Sequence, residues 1–214
     1  MNKYLQQIHR CNIYDNFETI PFQTESTNIT PALDDVFSGE KQNEVIIIEV
    51  GSWKGASAIG MANHLKNKGI NPTIFCVDTW TGSTFHREHD IYLEMLNCEN
   101  GFPTIYKQFL SNIIHSGLQE NIVPVPHYSY DAARYLKKLG IIADYCYIDA
   151  CHEYKEVYSD IECYYDLVKE NGKLFGDDYD IGWHGVMNSV NDYVDKNNLK
   201  EKFRTVGPQW IIEK

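Results

Sequence analysis

Apolar residues in this chain come in short uninterrupted runs separated by stretches of helical spacing. Val45-Ile-Ile-Ile-Glu-Val50 is continuous and β-branched, the pattern of a strand buried on both faces. Gly51-Ser-Trp-Lys-Gly55 turns the chain into 56–68, where Ile59, Met61 and Leu65 recur at helical spacing until Gly69 stops the run. A second buried strand is expected over 73–77, ending at Asp78. After a polar stretch, 81–101, the pattern predicts a helix over 102–115, a short strand over 122–125 and a helix over 130–139. A strand over 144–148 and a helix over 155–169 follow, the latter ended by Asn171-Gly172. Then come a strand over 173–176, a helix over 185–196, and two strands, 203–206 and 209–212, joined at Gly207-Pro208. Strand and helix alternate until that last pair. This is an α/β plan: a mostly parallel sheet with right-handed crossovers and an antiparallel C-terminal edge. Residues 1–43 are polar, with scattered aromatics and the turn formers Pro21, Pro31 and Gly39. They read as an N-terminal extension with one or two short helices, ahead of a domain over 44–214.

Composition narrows the function classes. A length of 214 residues suits one domain with a sizeable core. No apolar run is long enough to span a bilayer, and the first ten residues lack the apolar core of a signal peptide. The net charge of -11 argues against a nucleic-acid partner, whose affinity rests on Lys and Arg. Six cysteines include no Cys-x-x-Cys pair, and several fall inside apolar runs. A reducing, cytoplasmic setting is the expectation, with no membrane partner and a homodimer as the expected assembly.

Two groups of residues carry candidate chemistry. At the first turn, Gly51 and Gly55 let the backbone approach a ligand beside a helix N-terminus. Asp78, ending the second strand, stands where a carboxylate can accept from both ribose hydroxyls. Trp53 fills the middle position of a dinucleotide fingerprint and disfavours a pyrophosphate, hence a nicotinamide or flavin dinucleotide. An amino acid joined to a nucleoside still fits. The plainer alternative is a tight turn and a helix cap. The second group is acidic. Asp149-Ala-Cys-His152 closes one apolar run and Asp177-Asp178 another. In an open parallel sheet such ends face the ligand crevice, where three carboxylates would repel one another unless a cation sat between them. Here too helix and Asx-turn capping is the alternative.

With these residues placed, the chain resembles the class I S-adenosylmethionine-dependent methyltransferases, and within them the macrocin-type sugar O-methyltransferases. The resemblance rests on Glu-Val-Gly-Ser-Trp-Lys-Gly (49–55), Val-Asp-Thr-Trp-Thr-Gly-Ser (77–83), Phe-Leu-Ser-Asn-Ile-Ile (109–114), Ile-Asp-Ala-Cys-His-Glu-Tyr (148–154) and Gly-Asp-Asp-Tyr (176–179). It implies a Rossmann-like, seven-stranded sheet with helices on both faces and residues 1–43 as a substrate lid. Carried over by position, it implies Glu49, Gly51, Ser52, Trp53, Gly55, Asp78 and Thr79 around S-adenosyl-L-methionine. Glu49 would lie near the amino end, Ser129 at the adenine, and Asp149 would border the donor. It further implies Asp149, Asp177 and Asp178 as ligands of Mg2+ or another divalent cation, and His152 as general base.

The chemistry agrees with that set. An alcohol is a poor nucleophile at neutral pH, and a metal held by carboxylates can lower its pKa and fix its direction. An imidazole can take the proton. A sugar or glycoconjugate is the expected acceptor, since adjacent hydroxyls chelate; a catechol would do the same. His86, His89 and His184 read as solvated loop residues. Trp80 and Trp183 are equally suited to a pocket wall or to the core. The competing function is a donor-binding partner or regulatory protein without catalysis of its own.

Overall fold

A computed structural model describes residues 2–25 and 29–214. Seven strands form one sheet, in the order β3-β2-β1-β4-β5-β7-β6, with helices on both faces. The elements run α1 (Lys3–His9), α2 (Thr30–Val36), β1 (Glu44–Val50), α3 (Ala56–Asn67), β2 (Asn71–Asp78), α4 (Thr84–Glu88), α5 (Asp90–Met95) and α6 (Ile105–His115). They continue with β3 (Ile122–Pro126), α7 (Ser129–Lys138), β4 (Ala143–Ile148), α8 (Tyr154–Tyr165), β5 (Val168–Gly176), α9 (His184–Lys196), β6 (Phe203–Val206) and β7 (Gln209–Glu213). Strands β1 to β5 are parallel, and β7 and β6 add antiparallel at one edge. The expected α/β plan is the observed one. No helix among the described residues is long and apolar enough to cross a membrane.

The inner strands are buried nearly end to end because helices cover both faces, so their sequences need no alternation. Register then decides where the chemistry goes. Val50 pairs with Val77 on one side and Ile148 on the other, and Ile148 pairs with Gly176. The residues that follow, Gly51, Asp78, Asp149 and Asp177, therefore emerge in one row. Strand order reverses between β1 and β4, so the row straddles a topological switch point.

Three segments depart from the sequence pattern. Helix α8 ends at Tyr165 and β5 begins at Val168, within the range expected to be helical. From Ala143 to Tyr145 strand β4 advances two residues while its partners on β5 advance from Val168 to Lys173, so β5 carries a bulge. Asn171 adopts a left-handed φ of 63° there, and a Cβ on Gly172 would lie 2.5 Å from the Asp144 carbonyl oxygen. The stretch after β2 holds two short helices, α4 and α5, the first opened by the Ser83 amide donating to His86 Nδ1 (3.2 Å). Helix α6 starts at Ile105, later than the pattern suggested.

The N-terminal residues are part of the core. Leu5, Tyr14, Leu33, Val36 and Phe37 are buried, Tyr4 packs edge-on against Phe75 of β2, and the Tyr14 hydroxyl donates to the Ile122 carbonyl. Asn112 of α6, fully buried, ties the following segment down. Its Nδ2 donates to the carbonyls of Gln23 and Lys54, both at 2.8 Å, while its Oδ1 accepts from the Gln23 amide and from Gln108 Nε2, both at 3.0 Å. The amide's full bonding capacity is used. Asn112→Ala leaves these partners unpaired and is expected to cost about 3 kcal/mol. Urea denaturation measures that loss, and limited proteolysis should show faster cleavage near residue 23. A loss below about 1 kcal/mol would show that water replaces the side chain freely.

Candidate functional site

The strand ends open into a cavity of about 740 Å³ that runs from the glycine turn to Asp149 and His152 of the acidic group. The turn is built by close approach. The Gly51 amide donates to the Val77 carbonyl at 2.9 Å, and a Cβ on Gly51, at φ +88°, would lie 1.9 Å from the Asp149 carbonyl oxygen. Only glycine fits between β1 and β4 there. Trp53 follows with φ 46°, a left-handed conformation uncommon outside glycine. Its carbonyl accepts from Trp80 Nε1 at 2.7 Å, and its indole stacks on the His86 ring at 4.6 Å.

Asp78 braces this turn. Its Oδ2 accepts from the amides of Ser52 (3.0 Å) and Trp53 (2.8 Å), and its Oδ1 from the Trp80 amide (2.7 Å). Burial pushes its carboxyl pKa up, and these three N–H donors work in the opposite direction. The carboxylate expected at a ribose is thus also the clasp of the donor loop, with accepting capacity left mainly on Oδ1. Thr79 lines the same cavity and its hydroxyl lies 2.8 Å from that of Thr81.

Glu49 lies behind the turn, fully buried. Ser57 donates to its Oε1 at 2.6 Å, and its Oε2 makes no aligned hydrogen bond. Burial pushes its pKa up to about 7, with the hydroxyls of Ser52 and Ser57 opposing. At the opposite end, Ser129 opens α7 and its hydroxyl donates to Asp160 of α8. Burial also pushes Asp160 up to about 7. Sequence reading missed Asp160, and a signal was present: Val157, Asp160, Ile161 and Tyr164 share the buried stripe of α8, one acid among apolar residues. It missed Glu25 and Lys54 as well, and their positions had no periodic signal.

The acidic group is compact. Asp149, His152 and Asp178 each offer a ligand atom, and these atoms lie within 4.8 Å of one another. Asp178 turns back toward the group through a left-handed φ of 62°. His152 Nε2 lies 2.8 Å from Asp178 Oδ2 and 3.9 Å from Asp149 Oδ1. The ring is half-buried, and Nε2 itself is shielded from solvent. Trp183 packs on the ring at 4.1 Å. Asp177 sits at the margin: its Oδ1 accepts from Gln209 Nε2 at 2.9 Å and its Oδ2 from the Tyr147 hydroxyl at 3.3 Å, which also reaches Asp149 at 3.3 Å. Burial and then the Asp149 charge push the Asp177 pKa up.

These residues fit a divalent cation. Burial disfavours a charged His152, yet the carboxylates of Asp149 and Asp178 more than offset this and push its pKa up to about 9. An imidazolium can neither accept a proton nor ligate. A cation among the carboxylates takes over their neutralisation and frees the ring for either task. Of the other aromatics, His86 is half-buried in the cavity wall rather than solvated, while His89 and His184 are exposed. Trp80 belongs to the core.

Glu49 yields a stability test with a defined sign. Its folded pKa is raised, so folding favours its protonated form. The resulting penalty is absent below about pH 4.5, grows through the window up to about 7, and reaches about 3 kcal/mol above it. Glu49→Gln should therefore stabilise the ligand-free protein in thermal melts near pH 8 and have little effect near pH 5. Equal shifts at both pH values would sink the assignment.

A family model described as a methyltransferase domain matches residues 48–179. No curated protein sequence matches the chain. Among solved structures, the O-methyltransferase NovP is similar with a TM-score of 0.60 at 16% identity, over 85% of this chain and 76% of that one. An O-methyltransferase from Bacillus cereus in complex with SAH gives 0.59 at 14%, over 100% and 92%. CalS11, a TDP-rhamnose 3'-O-methyltransferase of calicheamicin biosynthesis, gives 0.54 at 15%, over 85% and 75%. At such identities the likeness is one of fold, the class I S-adenosylmethionine-dependent methyltransferase fold. The glycine turn and the acidic strand ends fall within the matched span, and the chain belongs to the methyltransferase-domain family.

Proposed function

We propose that the protein transfers a methyl group from S-adenosylmethionine to a hydroxyl of a small polyhydroxylated acceptor, with a sugar or glycoconjugate as the substrate class. The observation that carries this reading is one cavity joining a glycine turn built for close backbone approach to Asp149 and His152, with Asp178 beside them. CalS11, similar in fold, is described as acting on a sugar nucleotide, and this supports the acceptor class. The net charge of -11 weighs against RNA.

In this reading Gly51, Ser52, Trp53, Gly55, Asp78 and Thr79 surround the donor, Glu49 faces its amino end, and Ser129 with Asp160 forms the base-recognising end. Asp149, Asp177 and Asp178 hold a divalent cation, Mg2+ being the hard ion suited to oxygen ligands. When bound, that ion acidifies and orients the acceptor hydroxyl. His152 accepts the hydroxyl proton, its ring held in place by Trp183. The chain otherwise works by approximation, keeping oxygen and methyl carbon in line and water out. The segment before β1 acts as a lid through the part that reaches the cavity.

A second reading of His152 has its own observation: its Nε2 lies in the compact group, whereas Asp177 is engaged by Gln209 and Tyr147. Titration with Mn2+ decides between the two. His152→Ala that binds Mn2+ normally but loses at least about a hundredfold in kcat identifies a base; lost Mn2+ binding identifies a ligand. Asp149→Asn should abolish Mn2+ binding under either reading. Excess EDTA should remove turnover of sugar acceptors, and full activity in its presence would overturn the role of the cation.

A further inference from the structure

Three buried polar atoms near the glycine turn make no aligned hydrogen bond: Glu49 Oε2, Ser52 Oγ and Glu25 Oε2. Glu25 and Ser52 line the main cavity, and Glu49 lies behind that lining, hydrogen-bonded to Ser57, another lining residue. An unpaired buried polar atom is costly, and more so a carboxylate oxygen. Three at one end of one cavity mark the seat of a polar ligand group. Two of them belong to carboxyl groups, and a neighbouring cation would favour the ionised, accepting form of Glu49, so the group they suit is a cationic donor of several hydrogen bonds.

Glu25 comes from outside the methyltransferase match and far from the strand ends in sequence. Two contacts put it in place. Lys54, itself 4% exposed, holds its Oε1 at 3.0 Å and leaves Oε2 free. Asn112 fixes both the Gln23 backbone and the Lys54 carbonyl, so the segment and the donor loop are held by one side chain. The carboxylate is thus oriented before any ligand arrives, and little ordering entropy remains to oppose binding.

We infer that Glu25 is a donor-binding residue: with Glu49 it receives the α-ammonium group of the methyl donor, so the segment before β1 closes on the donor as well as on the acceptor. This rests on the donor reading above. Lys54 keeps Glu25 aimed, and its positive charge offsets the negative charge that would otherwise face the donor's own carboxylate.

The test compares S-adenosylhomocysteine with 5'-methylthioadenosine, which keeps the nucleoside and thioether but lacks the amino-acid end. Calorimetric titration of Glu25→Gln should show about tenfold or greater weakening for S-adenosylhomocysteine. Binding of 5'-methylthioadenosine should change less than about twofold. Glu25→Asp, which keeps the charge and shortens the reach, should fall between wild type and Gln. Unchanged S-adenosylhomocysteine affinity in Glu25→Gln overturns the inference, as does equal weakening of both ligands, which would mean general damage to the pocket. Wild-type protein that binds neither ligand would remove the donor reading itself and the inference with it.

Discussion

The close approach of the β1 and β4 ends is the constraint from which the site follows. Gly51 lies against the Asp149 carbonyl with no room for a Cβ, and the Asp149 amide donates to the Val50 carbonyl at 2.8 Å. This contact sets the donor turn directly beside the first residue of the acidic group. Asp177 extends the row by donating its amide to the Ile148 carbonyl. A shift of register on either side would separate the two halves of the cavity, because each half is carried by a different strand pair.

Charge buried without full compensation is the second theme. Glu49, Asp160, Asp78 and Asp177 all have pKa values raised by burial, and His152 is held between two carboxylates. A fold selected for stability alone would replace several of these by apolar side chains. Asp78, Asp160 and His152 line one cavity and the others lie close behind the same strand ends, the expected signature of a site that binds charged ligands and is completed by them. The N-terminal segment belongs to the same arrangement: the buried Lys54 meets Glu25 there and lies over the Trp53 ring.

The α/β alternation, the antiparallel edge, the glycine turn and the acidic ends of β4 and β5 were all legible from the pattern of residues. The reason is local. Continuous β-branched runs mark doubly covered strands, and residues just after a parallel strand must face the crevice. The end of α8 was not legible, because the bulge in β5 depends on Asp144 of a neighbouring strand rather than on the helix itself. Asp160 left a trace in its stripe, whereas His86 was read as solvated although a short helix folds it onto Trp53.

By itself the sequence determined the order of elements, the identity of the turn at Gly51 and the presence of four ionisable residues at two strand ends. Tertiary structure decided which of those groups meet. Asp78 became the clasp of the donor loop, Asp177 was drawn toward Gln209 of β7, and His152 was placed against Asp178. It also brought Glu25 and Lys54 together from opposite sides of β1. Such pairings join residues far apart in the chain, and no local propensity or period encodes them. They exist only once the sheet has fixed where each strand ends and the buried charges have found their partners.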